Sequence, residues 1–170
     1  MKLKKISIAV LLGMAATGAV FAATQTVNAT IRFLTPITFG AVTAVDLGDW
    51  QAGATGRNFE VDTTGTAGGT DVADYLTGAS AGNVDIIGSA TATIDIVANN
   101  FVANNSVVVS GVPCKYGAAA ATTCHGAGIT NQAAPGAGTN LLMGATVDTG
   151  TAHADGATAT PTLDIVVSFN

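Results

Sequence analysis

Basic side chains are nearly missing from this sequence, and the shortage excludes one class of partner before any motif is sought. Six of its 170 residues are Lys or Arg, and three of those, Lys2, Lys4 and Lys5, crowd the extreme amino terminus. Beyond residue 22 the chain keeps only Arg32, Arg57 and Lys115 against eleven carboxylates, a net charge of minus eight. A surface of that sign repels phosphate backbones, so no nucleic acid is expected as a partner.

Catalytic groups are scarce as well. Nucleophilic catalysis needs a nucleophile, a base and an orienting group brought together. The two histidines, His125 and His153, lie in polar Gly/Ala/Thr surroundings and read as exposed loop residues. No Gly-x-Ser-x-Gly nucleophile elbow is read, the nearest Ser neighbourhoods being Gly78-Ala79-Ser80 and Gly88-Ser89-Ala90. There is no Gly-rich phosphate loop carrying its Lys, so nucleotide chemistry is not expected. The sequence therefore predicts no enzyme, no cofactor and no metal.

Cysteine is limited to Cys114 and Cys124, which enclose nine residues. A disulfide closing this loop is the simplest reading in an oxidising compartment. Haem attachment would need Cys-x-x-Cys-His, and this spacing is too long. A copper or zinc site from Cys114, Cys124, His125 and Met143 would want ligands preset on rigid strands, yet three of them share one Gly/Ala-rich loop. Calcium favours clustered oxygen ligands on loops; Asp46 and Asp49 bracket Leu47-Gly48, and Asp62, Asp71 and Asp74 lie around a Gly-rich loop. The stretch Gly68-Gly69-Thr70-Asp71 lacks the spacing of calcium repeats, so these carboxylates read as solvated. Trp50, the one tryptophan, could stack a sugar together with Tyr75 and Tyr116, or pack against the core.

Long apolar runs occur once, at the start. A basic head is followed by the apolar residues 6–21 and by the small residues around Ala22 and Ala23, the layout of a secretory signal peptide. Gly13, Thr17 and Gly18 interrupt the run, which falls short of a membrane span. Residues 1–22 are read as the signal, with cleavage after Ala22 and Ala23 as the alternative. Residues 23–170 then form one domain of 148 residues, exported to the periplasm, the cell surface or the medium, with no integral membrane segment after cleavage.

What the mature chain has in abundance is Thr, Val, Ile, Gly and Asn, which suit strands and turns. Residues 26–33 alternate, with Val27, Ala29, Ile31 and Phe33 on one face, as in a half-buried strand. Further strands are expected near residues 37–40, 45–50, 59–62, 84–87, 91–97, 107–112, 141–147 and 163–169. A turn is expected at Asn99-Asn100, a brief helical turn at residues 72–76, and a loop over residues 113–139. Seven to nine short strands with intervening turns predict an all-β, immunoglobulin-like antiparallel sandwich.

Val27-Asn28-Ala29-Thr30-Ile31, followed by Pro36-Ile37-Thr38-Phe39-Gly40, resembles the opening of the domain-of-unknown-function 4402 family of secreted bacterial β-sandwiches. Relatives of that family occur among spore-coat-U-like and chaperone–usher pilus subunits. The last strand adds content to the resemblance. Leu163, Ile165, Val167 and Phe169 share one face, and the chain ends one residue after Phe169. An alternating terminal strand with a penultimate aromatic is similar to the element that a periplasmic chaperone grips in such subunits. Their assembly adds a neighbour's amino-terminal strand to an open edge. The resemblance implies a structural or adhesive surface subunit, pilus-like, whose partners are further copies and a chaperone. The alternative is a monomeric secreted module that binds carbohydrate or calcium. Only residues 23–26 precede the alternating segment, so residues 24–33 are themselves the donor or the domain is complete in itself.

Overall fold

The computed structural model describes residues 30–53 and 55–170. The signal segment 1–22, its cleavage point and residues 26–29 of the first expected strand lie outside the described residues. Thr30, Ile31, Arg32 and Phe33, the described part of that strand, carry no strand pairing. The compact body is Phe33–Asn170.

In chain order the strands begin with β1 (Thr38–Thr43), β2 (Asp49–Trp50), β3 (Asn58–Val61), β4 (Ala67–Gly68) and β5 (Tyr75–Thr77). They continue with β6 (Gly82–Ile87), β7 (Ile94–Val102), β8 (Val107–Gly111), β9 (Pro113–Tyr116) and β10 (Thr122–Thr123). The last four are β11 (Ile129–Gln132), β12 (Thr139–Met143), β13 (Ala145–Thr149) and β14 (Thr162–Phe169). Among the described residues the one helical element is a 3-10 turn, Val72–Asp74, where the sequence predicted one. No helix among the described residues is long and apolar enough to cross a membrane.

Every strand pair is antiparallel, and the fold is the all-β sandwich that composition and alternation predict. One sheet has the order β1-β6-β12-β9-β10. Facing strands come from β4-β3-β13-β8 and from β11-β7-β14, and β2 pairs with β5 alone. The period of two decides what is buried. Val84 and Ile86 of β6, Leu141 and Met143 of β12, and Cys114 and Tyr116 of β9 supply one side of the core. Ile94 and Ile96 of β7, Val107 and Val109 of β8, and Val147 of β13 supply the other.

Three expectations are corrected. The single strand predicted over residues 141–147 is two strands in different sheets, divided at Gly144. A Cβ at Gly144 would strike the Val61 carbonyl and the Asp62 backbone, so only glycine passes there. Asn99-Asn100 is not a turn but the interior of β7. Asn100 sits at φ 51°, where the β7–β14 register shifts, and the chain reverses later, through Asn105 and Ser106 at φ 46° and 60°. Amide side chains tolerate that left-handed region, which is why two Asn sites compete for the turn in sequence. Finally, residues 113–139 are not a loop but carry β9, β10 and β11.

Cys114 and Cys124 are joined to each other, with Cα atoms 5.7 Å apart, and both are fully buried. The Cys124 amide donates to the Val112 carbonyl at 2.9 Å, and its carbonyl accepts the Ala98 amide at 2.7 Å. The crosslink therefore fixes a hairpin against β7. Replacing both cysteines by alanine is expected to lower stability by about 2–3 kcal/mol, the chain-entropy value for a short loop. Urea denaturation of the exported protein measures this, and a loss below about 0.5 kcal/mol would show that the crosslink constrains little.

Candidate functional site

The feature that stands out is an edge. β14 pairs with β7 through a register running from Thr162↔Val102 to Phe169↔Ile94, and with no other strand. Its outer row of backbone groups is unpaired among the described strands. Leu163, Ile165, Val167 and Phe169 share one face and pack against the core cluster, as the alternation predicts. They are half-buried, not sealed, with the intervening residues exposed.

β1 is the matching edge of the opposite sheet and pairs with β6 alone. All six of its residues are exposed, including Phe39 at 48% and Val42 at 65%. A Cβ at Gly40 would meet the Asp85 carboxylate at 2.6 Å, a contact that the Asp85 side chain would have to turn aside to relieve. Between β1 and β14 runs a groove of about 1200 Å³. Phe39 and Val42 line it on one side, Ile165 and Val166 on the other, and Val109 and Met143 reach it from the core. The groove was not legible in the sequence, because edge status is a property of sheet order and not of any one segment.

The metal readings lose their ligands. Both cysteines are spent on the disulfide. His125 lies edge-on to Phe101, ring centroids 4.6 Å apart, with Nδ1 3.0 Å from the Ser110 carbonyl oxygen. Among the described residues no group of three or more His, Cys, Asp or Glu could hold a metal ion. The acidic loops are used internally. Asp62 Oδ1 accepts the Thr64 amide and hydroxyl, both at 2.7 Å, and the Thr66 amide at 2.9 Å. Partial burial pushes the Asp62 carboxyl up, but these bonds outweigh it and hold the group below its ordinary value.

The sequence reading missed an ion cluster. Arg57 pairs with Asp71, Nη1 to Oδ1 at 3.5 Å, and with Asp74. Asp71 Oδ2 also accepts the Asn58 amide at 2.7 Å. That backbone bond foremost, with lesser help from the Thr70 hydroxyl and the Arg57 charge, outweighs the opposing desolvation and holds the Asp71 carboxyl below its usual range. One Arg facing two Asp three residues apart was the available signal.

The reading that no Gly-x-Ser-x-Gly spacing occurs is corrected at Ser80. Gly78-Ala79-Ser80-Ala81-Gly82 has the Gly-x-Ser-x-Gly form of a nucleophile elbow, which requires a strand, a sharp turn and a helix. Here Ser80 is exposed, exchanges backbone hydrogen bonds with Asp46 at 2.8 and 3.0 Å, and leads into β6 with no helix. Each histidine ring contacts a backbone carbonyl elsewhere, so no base stands at Ser80.

Trp50 is half-buried. It stacks on Phe59 at 4.2 Å, meets Tyr75 edge-on at 5.2 Å and donates from Nε1 to the Leu47 carbonyl at 2.7 Å. Tyr116 is buried, with its hydroxyl donating to the Ala133 carbonyl at 3.1 Å, and burial pushes its phenol up. The sugar platform of Trp50, Tyr75 and Tyr116 is therefore not assembled.

No family model, curated protein or solved structure matches the chain.

Two outcomes are expected from these residues. Phe169→Ala should lower stability by about 1.5–2.5 kcal/mol, roughly half the cost of truncating a sealed Phe, because the ring is half-buried. Chemical denaturation checks it, and an unchanged midpoint would mean that the end of β14 is not packed. For Asp71 the lowered folded value means that its stabilisation is present above the ordinary carboxylate range. It is lost as pH falls through that lowered value. Asp71→Asn should therefore flatten the acid limb of the melting temperature against pH, and an unaltered limb would remove the account of Asp71 as held chiefly by the Asn58 amide.

Proposed function

We propose that this chain is an exported structural or adhesive surface subunit, pilus-like and without catalytic activity, that assembles by taking a neighbour's strand onto its open edge. The observation that carries the reading is the apolar groove bounded by two unpaired edges, β1 and β14. Folded proteins normally guard such edges with Lys, Pro, bulges or a covering segment. β1 reads Thr-Phe-Gly-Ala-Val-Thr, with no charge and no proline, and its one guarding device is a register irregularity between Phe39 and Val42; β14 carries only Asp164 and an irregularity near its start. Edges so poor in charge favour a covered state in the working protein.

The chain contains a segment suited to the cover. As an added strand, residues 26–33 would place Val27, Ala29, Ile31 and Phe33 on one face by their alternation, and eight residues equal the length of β14. On this reading a neighbouring copy supplies the segment, and a periplasmic chaperone holds the same groove before assembly. Membership of the domain-of-unknown-function 4402 family, with its pilus-subunit relatives, belongs to the proposal. So does export through the signal at residues 1–22. The disulfide supports an oxidising compartment.

Size-exclusion chromatography with light scattering on residues 23–170, purified from periplasm, tests the reading. The native chain is expected to form a ladder of heat-labile oligomers. Val42→Lys combined with Val166→Lys should leave a monomer of unchanged melting temperature, since both side chains are already largely exposed, at 65% and 45%. A native chain that runs as a sharp, cooperatively unfolding monomer would show a complete sandwich and end the assembly reading.

A further inference from the structure

Beside the groove lies a second concavity that strand addition leaves unused. It is a crevice of about 470 Å³ between β2 and the loop of residues 153–159, a size typical of small-ligand sites. Phe59, Val107 and Val147 give it an apolar lining, the two valines being core residues. Its walls are tied in place. The Gly53 amide donates to the His153 carbonyl at 3.1 Å, and His153 Nε2 donates to the Asn105 carbonyl at 2.7 Å. The Asn105 side chain in turn donates to the Thr158 carbonyl, and the Thr160 amide donates to Asn104 Oδ1 at 3.0 Å.

Three exposed lining residues, Asp49, Gln51 and Asp155, make no side-chain hydrogen bond or ion pair among the described residues. Arg57, the only Lys or Arg in the lining, is committed to Asp71 and Asp74. With the exposed Thr158 hydroxyl, which also lines the crevice, the free hydrogen-bonding capacity of the exposed side chains is two carboxylates, one amide and one hydroxyl around an apolar floor. Anions are repelled by that set, and a wholly apolar ligand would strip water from carboxylates without replacing it. An organic cation would seek an open aromatic box, but Trp50 is stacked on Phe59 and flanked by Tyr75. A sugar ring meets both demands. Its hydroxyls donate to carboxylates and pair with an amide, while its C–H face lies on apolar side chains.

We propose that this crevice binds a neutral saccharide. The site would give the protein an adhesive contact that does not depend on strand exchange. Trp50 lines the crevice and is the only tryptophan, so its emission reports occupancy. The exported protein is titrated with maltotriose, cellotriose, chitotriose and galactobiose up to millimolar concentration. At least one sugar is expected to give a saturable change in emission. Gln51→Ala with Asp155→Asn should weaken that affinity about tenfold at an unchanged melting temperature. No response to any of the four sugars, or a response that the double variant retains in full, overturns the proposal. A peptide of residues 24–33 is titrated in parallel, because crevice and groove share Leu47 and Val147. A response to the peptide alone would assign the crevice to strand binding and overturn the saccharide site while leaving the assembly reading intact.

Discussion

The chain crosses from one sheet to the other at Gly144, with no loop between the two strands it joins. Leu141, Met143, Ala145, Val147 and Thr149 are all buried, so the inward period of two runs unbroken through the glycine. What changes is the partner. Before Gly144 the strand pairs with β6 and β9, and after it with β3 and β8. The Gly144 amide donates to the Pro113 carbonyl at 2.8 Å, so the crossing leaves no orphaned donor. Side chains from a single strand thereby pack in one core while their backbone belongs to two sheets. A residue with a Cβ would push β12 away from β3, and both sheets would lose a central member.

The groove lies where two sheet edges come together. β1 ends the sheet that β12 centres, and β14 ends the three-stranded sheet β11-β7-β14. Val109, Val112, Met143 and Val147 lie at the base of the gap between them. Three exposed apolar side chains, Phe39, Val42 and Val166, line this gap and belong to β1 and β14. Exposed valines scattered singly mean little, but edge valines beside a cleft that reaches core residues form a surface that loses free energy in water. Covering it with one added strand would satisfy backbone groups and bury side chains at the same time, which neither a small ligand nor a flat protein surface does as well.

How much of this was legible in the sequence follows from which physical signals are local. The alternation of Leu163, Ile165, Val167 and Phe169 is local, and β14 is where it points. The cysteine pair is close in sequence, and the crosslink is where it points. Gly144 misled because an apolar run reads as one strand whether or not its neighbours change halfway. Asn99-Asn100 misled because amide residues adopt a left-handed backbone in a strand irregularity as readily as in a turn. Residues 113–139 looked like a loop because Ala, Gly and Thr carry little apolar signal, although β9 places two buried side chains there, Cys114 and Tyr116. The groove, the crevice and the Arg57 cluster are assembled from segments far apart in the chain, and no window of sequence contains them.

The scarcity of basic residues fits this architecture. Carboxylates in most folds find Lys or Arg; here Asp62 is satisfied by amides and a hydroxyl from its own turn, and Asp46 accepts the Gly48 amide at 2.9 Å. Such bonds need only Gly and Thr nearby, which this chain has in excess. The exception, Arg57, is held by two aspartates and so adds no free positive patch. An acidic surface of this kind keeps copies apart at long range, with repulsion screened over about 10 Å at 0.1 M salt. Attraction between copies would then have to be short-ranged, through backbone pairing and apolar contact, and the two bare edges are where those forces are available. Recognition by shape and backbone, with charge serving only to repel the wrong encounters, is the mode of association this composition permits.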